Sequence, residues 1–173
     1  MKQFLAGAIA LLLISSCNVV VKKTKEEAIT HNDTVIAILN PYFDARDKFE
    51  DALADDESDL KAAYTEFKNS IDKIIRETEA LPEFDKEDAL KKASVEYMTA
   101  VKNTVNSDFG KLVEIRLDPD YTNYDSERNS SLLDQYNALY NKADSLITVA
   151  GENFDKKQDA FAAGYDFKID RNY

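Results

Sequence analysis

The chain has 173 residues, 22 Lys+Arg against 33 Asp+Glu and a net charge of −11, so binding to a phosphate backbone is disfavoured from the outset. Only 4 Gly and 3 Pro are present, which excludes the frequent turns of a sandwich or barrel. One Cys and one His exclude an intrachain disulfide framework, most metal sites and most nucleophile–base pairs.

Residues 1–17 read MKQFLAGAIALLLISSC. Lys2 is a charged start, and Phe4 to Ile14 is an apolar run too short to span a bilayer. The run ends in Ile14-Ser15-Ser16-Cys17, which resembles the bacterial lipobox. The resemblance implies a signal peptide over 1–16, with Cys17 lipidated as the mature N-terminus and carrying palmitate or a similar acyl chain. Several acyl chains, at about 0.8 kcal/mol per buried CH₂, anchor a soluble domain durably. Asn18 follows Cys17 in place of an Asp retention signal, which points to the outer membrane. The leader holds one base and no acid, so the mature part is slightly more acidic than the whole chain.

Residues 17–25 read as a lipidated tether and 26–164 as one helical domain. Lys22, Lys23 and Lys25 either touch anionic headgroups or form a solvated linker. From Glu26, apolar residues recur at spacings of three and four. The first segment carries Ala28, Val35, Leu39, Tyr42, Phe49 and Leu53. Its register runs unbroken through Pro41, which predicts one helix kinked near Asn40-Pro41; a true break there is the alternative. Asn32 and Arg46 fall on this apolar stripe. An inward Arg46 needs a carboxylate or carbonyl partner; otherwise it snorkels at the stripe's edge.

The run ADDESD at 54–59 is a turn whose last acids suit the start of a helix. The second helical segment carries Leu60, Tyr64, Phe67, Ile71 and Ile74 and stops at Pro82. Asp85, with Asp88 three residues on, resembles a capped N-terminus for the third segment, which carries Ala89, Ala93, Tyr97, Val101, Val105, Phe109, Leu112 and Ile115. Gly110 interrupts that register at a cost of about 1 kcal/mol, so helix either continues through Arg116 or frays after Phe109.

Pro119 opens the one long loop, DPDYTNYDS at 118–126. The fourth segment starts near Ser126 and carries Leu132, Tyr136, Leu139, Tyr140, Ala143, Ile147, Phe154 and Phe161, with Gly164 as the expected stop. Residues 165–173 are expected to be an extended or disordered tail. Four such segments predict an all-α, up-down-up-down four-helix bundle.

The chemistry-bearing residues are sparse. Glu27 sits four residues before His31 instead of three, and His31 is the only histidine, so no di-iron bundle site forms. No G-x-S-x-G, P-loop or G-x-G-x-x-G is present. The acidic pairs Asp55/Asp56/Glu57, Glu77/Glu79 and Asp118/Asp120/Asp125 read first as solvated faces and caps. Oxygen ligands in 118–125 suit Ca²⁺, but the Gly and terminal Glu of an EF-hand loop are missing. No cofactor or metal is expected, and no enzyme. Asp118, Asp120, Tyr121, Asn123, Tyr124 and Asp125 form the candidate interaction loop, since exposed Tyr with Asn and Asp suits a protein or glycan partner. The alternative has both tyrosines folded back over the bundle end. Tyr42, Tyr64, Tyr97, Tyr136 and Tyr140 lie on the apolar stripes and are expected in the core, with their hydroxyls reaching a partner or water.

Lipobox, brief tether and four amphipathic helices together resemble small helical surface lipoproteins of diderm bacteria, spirochaetes included. The stretch AITHNDTVIAILNPYFDA at 28–45 is similar to the first helix of that group. That group has no catalytic residues to carry over; the anchor, the bundle and the missing catalytic constellation point to a non-catalytic interaction domain anchored in the cell envelope. A small-ligand carrier or sensor is the alternative, with a pocket opening at the Pro41 kink, Gly110 or Gly151.

Overall fold

The computed structural model describes residues 23–55 and 59–170. Cys17, the 1–16 leader and residues 17–22 of the tether lie outside that range, as do Asp56, Glu57 and the last three residues of the tail. The described chain is helical with no strand, and its helices group into four.

The first is α1 (Lys25–Leu39) followed by α2 (Pro41–Ala54). Asn40 between them keeps right-handed helical angles, and the pair bends by 21°. Pro41 occupies the first position of α2, where its missing N–H matters least, so the kink reading holds. At the start of α1, Thr24 Oγ1 accepts from Glu27 N at 3.2 Å and Glu27 Oε2 accepts from Thr24 N at 2.8 Å. This capping box satisfies two orphan donors, and the backbone bond from Thr24 leads the effects that lower the Glu27 pKa.

The second helix is α3 (Leu60–Glu79), capped by Asp59 Oδ1 on Ala62 N at 3.0 Å. The third runs α4 (Ala89–Thr104), a π-helical turn (Val105–Phe109) and α5 (Gly110–Arg116). Helix therefore survives Gly110 and reaches Arg116. A Cβ at Gly110 would lie 3.1 Å from the Tyr64 hydroxyl, which donates to the Val105 carbonyl at 2.9 Å. The π turn also places Asp108, almost wholly buried, against Lys142 Nζ at 2.7 Å. The start of α4 differs from expectation. Asp85 caps the preceding turn, accepting from Asp88 N at 2.7 Å and Glu87 N at 3.0 Å, and the helix begins only after Asp88, which is left-handed at φ 49°.

The fourth helix, α6 (Asn129–Gly164), starts three residues past Ser126 and passes Gly151 without interruption. It ends at Gly164 as expected, but by a cap that lies two residues further on. Phe167 N donates to Ala162 O and Asp166 N to Ala163 O, while Asp166 takes φ 58°. That is a Schellman motif in which Asp166, not Gly164, supplies the left-handed residue.

α2 packs on α3, α3 on α4, and α4 on α6. Tyr64–Val105 and Lys102–Asp72 pair α3 with the third helix in opposite directions. Asn32–Gln158 and Arg46–Asp144 do the same for the first helix and α6. The centre is aromatic: Phe49 lies 5.2 Å from Phe67 and 5.4 Å from Phe109, and Tyr42 lies 6.0 Å from Phe67. The side between the first helix and α6 is the least tightly packed, and polar side chains bridge it. Gln158 donates to Asn32 at 2.8 Å in a buried pair. Arg46 reaches Glu50 at 2.6 Å and Asp144 at 2.9 Å from a side chain 22% exposed. Both readings of Arg46 are thus partly met: it sits at the edge, and it has carboxylate partners. Burial pushes its pKa down, but the Glu50 bond and the other partners outweigh that and raise it, so it stays charged.

Candidate functional site

The sequence pointed to residues 118–125. They lie at the end of the bundle where α5 stops and α6 starts, together with the close of α2, since Arg116 Nε donates to Leu53 O at 3.0 Å. Successive turns fold this loop onto itself. Asp118 Oδ1 accepts from Asp120 N at 2.9 Å, and Asn123 Oδ1 accepts from Asp125 N at 3.2 Å. Arg128 gathers two carboxylates, Asp120 at 2.8 Å and Asp118 at 3.0 Å. Asn129, itself buried, donates to the carbonyls of Asp120 and Tyr121 at 3.2 and 2.6 Å.

Two of the three carboxylates in the run, Asp118 and Asp120, therefore converge on a guanidinium. Among the described residues no group of three or more His, Cys, Asp or Glu is arranged to hold a metal ion. The two tyrosines part company. Tyr121 folds back, its ring 5.4 Å from Tyr136 with Arg116 5.3 Å from its centre. Tyr124 stands out at 86% exposure. Asn123 and Asp125 are exposed beside it, and of the six candidates Tyr124 is the one exposed aromatic, on a loop braced by Arg128 and Asn129.

The opposite end brings together residues that the sequence scattered. Phe84 from the α3–α4 loop meets Phe161 at 5.7 Å and Tyr165 at 5.6 Å, and those two rings lie 5.1 Å apart. His31 stacks on Phe84 at 4.5 Å and 13°. It is therefore not a free surface side chain, and burial pushes its pKa down against the pull of Asp88 and Asp85. Tyr165 donates to Asp85 Oδ2 at 2.7 Å; burial and this acceptor push the hydroxyl up to about 12. For Asp85, burial pushes its pKa up, but the Tyr165 hydroxyl and two backbone N–H groups outweigh that and lower it. Phe167 packs on Phe161 at 6.2 Å, so the tail over 165–167 is docked. The signal in the sequence is the close run Phe161, Tyr165 and Phe167 across the end of α6, matched to Phe84 in the α3–α4 loop.

These rings wall a cleft of about 800 Å³, with Lys23, Lys86, Lys92 and Lys157 and the acids Asp85, Glu87 and Glu96 around it. It does not open where the sequence suggested. The Tyr64 hydroxyl fills the space beside Gly110, while smaller grooves of about 510 and 470 Å³ run beside Asn40 and Ala150. Asp85 keeps a lowered pKa, the opposite of what a general acid needs.

The core tyrosines are placed as expected, but one hydroxyl is not. Tyr42 is 1% exposed, and its hydroxyl meets no hydrogen-bond partner of good geometry among the described residues. Burial raises its pKa and that of Tyr97.

No helix among the described residues is long and apolar enough to cross a membrane. Comparison with protein-family models, with curated proteins and with solved structures finds no match for this chain.

Proposed function

We propose that this chain is a cell-envelope lipoprotein, anchored through lipidated Cys17 and held at the outer membrane, whose bundle is a non-catalytic interaction domain for a protein or glycan partner. The observation that carries this reading is Tyr124, 86% exposed on a loop braced by Arg128 and Asn129. A rigid exposed aromatic gives a partner contact area at low entropy cost. Its position fits an anchored protein. The chain from Cys17 joins the bundle at Lys23, on the cleft end, while α6 spans 36 residues, about 54 Å at 1.5 Å per residue, to the Tyr124 end. An anchor at one end thus leaves Tyr124 directed away from the bilayer.

Two measurements test this. Labelled palmitate should enter the wild-type chain and not the Cys17→Ser variant. A photo-crosslinker in place of Tyr124 should trap one defined envelope or host component, and Tyr124→Ser should abolish its binding without changing the circular dichroism. Undiminished binding by Tyr124→Ser would remove the loop from the reading.

The aromatic cleft favours a second reading, a small-ligand carrier or sensor. Its volume of about 800 Å³ lies within the range of about 300–1,000 Å³ common to ligand sites.

A further inference from the structure

We propose that the cleft between Phe84, Phe161 and Tyr165 binds an amphipathic anion: an apolar chain carrying a single carboxylate or phosphate head. This deepens the carrier reading and rests on it.

The walls supply the apolar half. Phe84, Phe161 and Tyr165 line the cleft and touch one another edge to face or tilted. His31 backs Phe84, fixing its ring. The rings come from the α3–α4 loop, α6 and the segment just past α6. The site is therefore preformed by the tertiary fold, which lowers the ordering cost of binding.

The rim supplies the sign. Four lysines and three acids line the cleft. Asp85 already accepts from two backbone N–H groups and the Tyr165 hydroxyl. Glu96 is paired with Lys157. Lys92 Nζ touches the neutral carbonyl of Glu87, and Lys86 is exposed on the lining. Lys23 is shared between Glu27 at 3.4 Å and the Phe84 ring at 5.3 Å from its centre. Asp85 keeps its charge with its oxygens occupied, and Glu27 draws on Lys23 from outside the lining, so Lys23, Lys86 and Lys92 stand against Asp85 and Glu87, one positive charge in excess on the lining of a chain of net charge −11. Three rings could also attract a cation. That position is already taken by Lys23, which a cationic ligand would have to displace and an anionic one would pair with.

The test is calorimetric titration of the full chain carrying Cys17→Ser, so that no acyl group of its own competes. Dodecanoate and dodecyl phosphate should each bind at one equivalent. Acetate, with the head and no chain, and dodecyltrimethylammonium, with the chain and the opposite charge, should bind at least about tenfold more weakly. The double variant Lys86→Gln/Lys92→Gln should weaken the anions by about five- to tenfold, as two exposed charge contacts allow. Ala160 is exposed and lines the cleft, so Ala160→Trp should block both anions while thermal unfolding stays unchanged. Tighter binding of dodecyltrimethylammonium than of dodecanoate would overturn the anion assignment and leave the carrier reading standing. Absence of binding by any amphiphile would overturn both. Anion binding unmoved by the lysine pair and by Ala160→Trp would overturn this location.

Discussion

At the Tyr124 end, the loop is held by side-chain bonds that reach ten residues or fewer, from Arg128 to Asp118 and Asp120 and from Asn129 to two carbonyls. At the cleft end, the contacts join His31, Phe84 and Phe161, and the Tyr165–Asp85 bond closes a separation of 80 residues. The first arrangement is local and polar, and it can loosen while the core stays folded. The second is aromatic and drawn from the whole chain, so it forms only with the global fold. A braced local loop suits display of one side chain, and a converged aromatic end suits a preformed cleft.

Phe161→Ala should break the cleft end hardest. Phe161 is 7% exposed and contacts Phe84, Tyr165, Phe167 and His31, so its truncation should cost about 3–5 kcal/mol in urea unfolding. Its effect should be global, with every helix exchanging amide hydrogens faster. Asn129→Ala should cost about 1–2 kcal/mol through two lost carbonyl bonds, and faster exchange should stay confined to residues 117–128. A global effect from Asn129→Ala would erase the contrast.

Asp166→Gly should act in the opposite direction. It keeps the Schellman hydrogen bonds and removes the cost of a left-handed Cβ, raising stability by about 0.5–1 kcal/mol.

The pH response should also belong to one end. Unfolded His31 takes a proton near its ordinary value of 6.5, while the folded residue, with its pKa lowered, stays neutral to a lower pH. The unfolded state therefore binds more protons in between, and stability falls as pH drops below about 6.5. His31→Gln should flatten that part of the stability–pH curve, and residues 117–128 should show no matching change. Smallest of all is Tyr124→Ser, which should move stability by less than about 0.5 kcal/mol at an 86% exposed site. A large stability loss there would mean that Tyr124 is a structural residue and not a displayed one.

The arrangement of helices was legible because burial imposes a period. Val35, Leu39, Tyr42, Phe49, Phe67, Ile71, Val101, Val105 and Phe109 lie on the stripes and are buried. The continuous register across Pro41 also announced a bend instead of a break. The loop at 118–126 was legible from Pro119 and its polar run. Which of its tyrosines would be free was not, because Tyr121 and Tyr124 sit in similar local sequence. Their difference comes from Tyr136 and Arg116, brought up by other helices.

The sequence by itself determined an acidic chain whose described residues form amphipathic helices, and where the main turns between them fall. Composition and periodicity are one-dimensional properties that local geometry reads directly. Only the tertiary structure decided that Phe84, Phe161 and Tyr165 share one cleft with His31 stacked behind Phe84, that Arg46 meets Asp144, and that Tyr121 packs on Tyr136. Most of those partners lie far apart in the chain, and no local period encodes which distant face a side chain will meet.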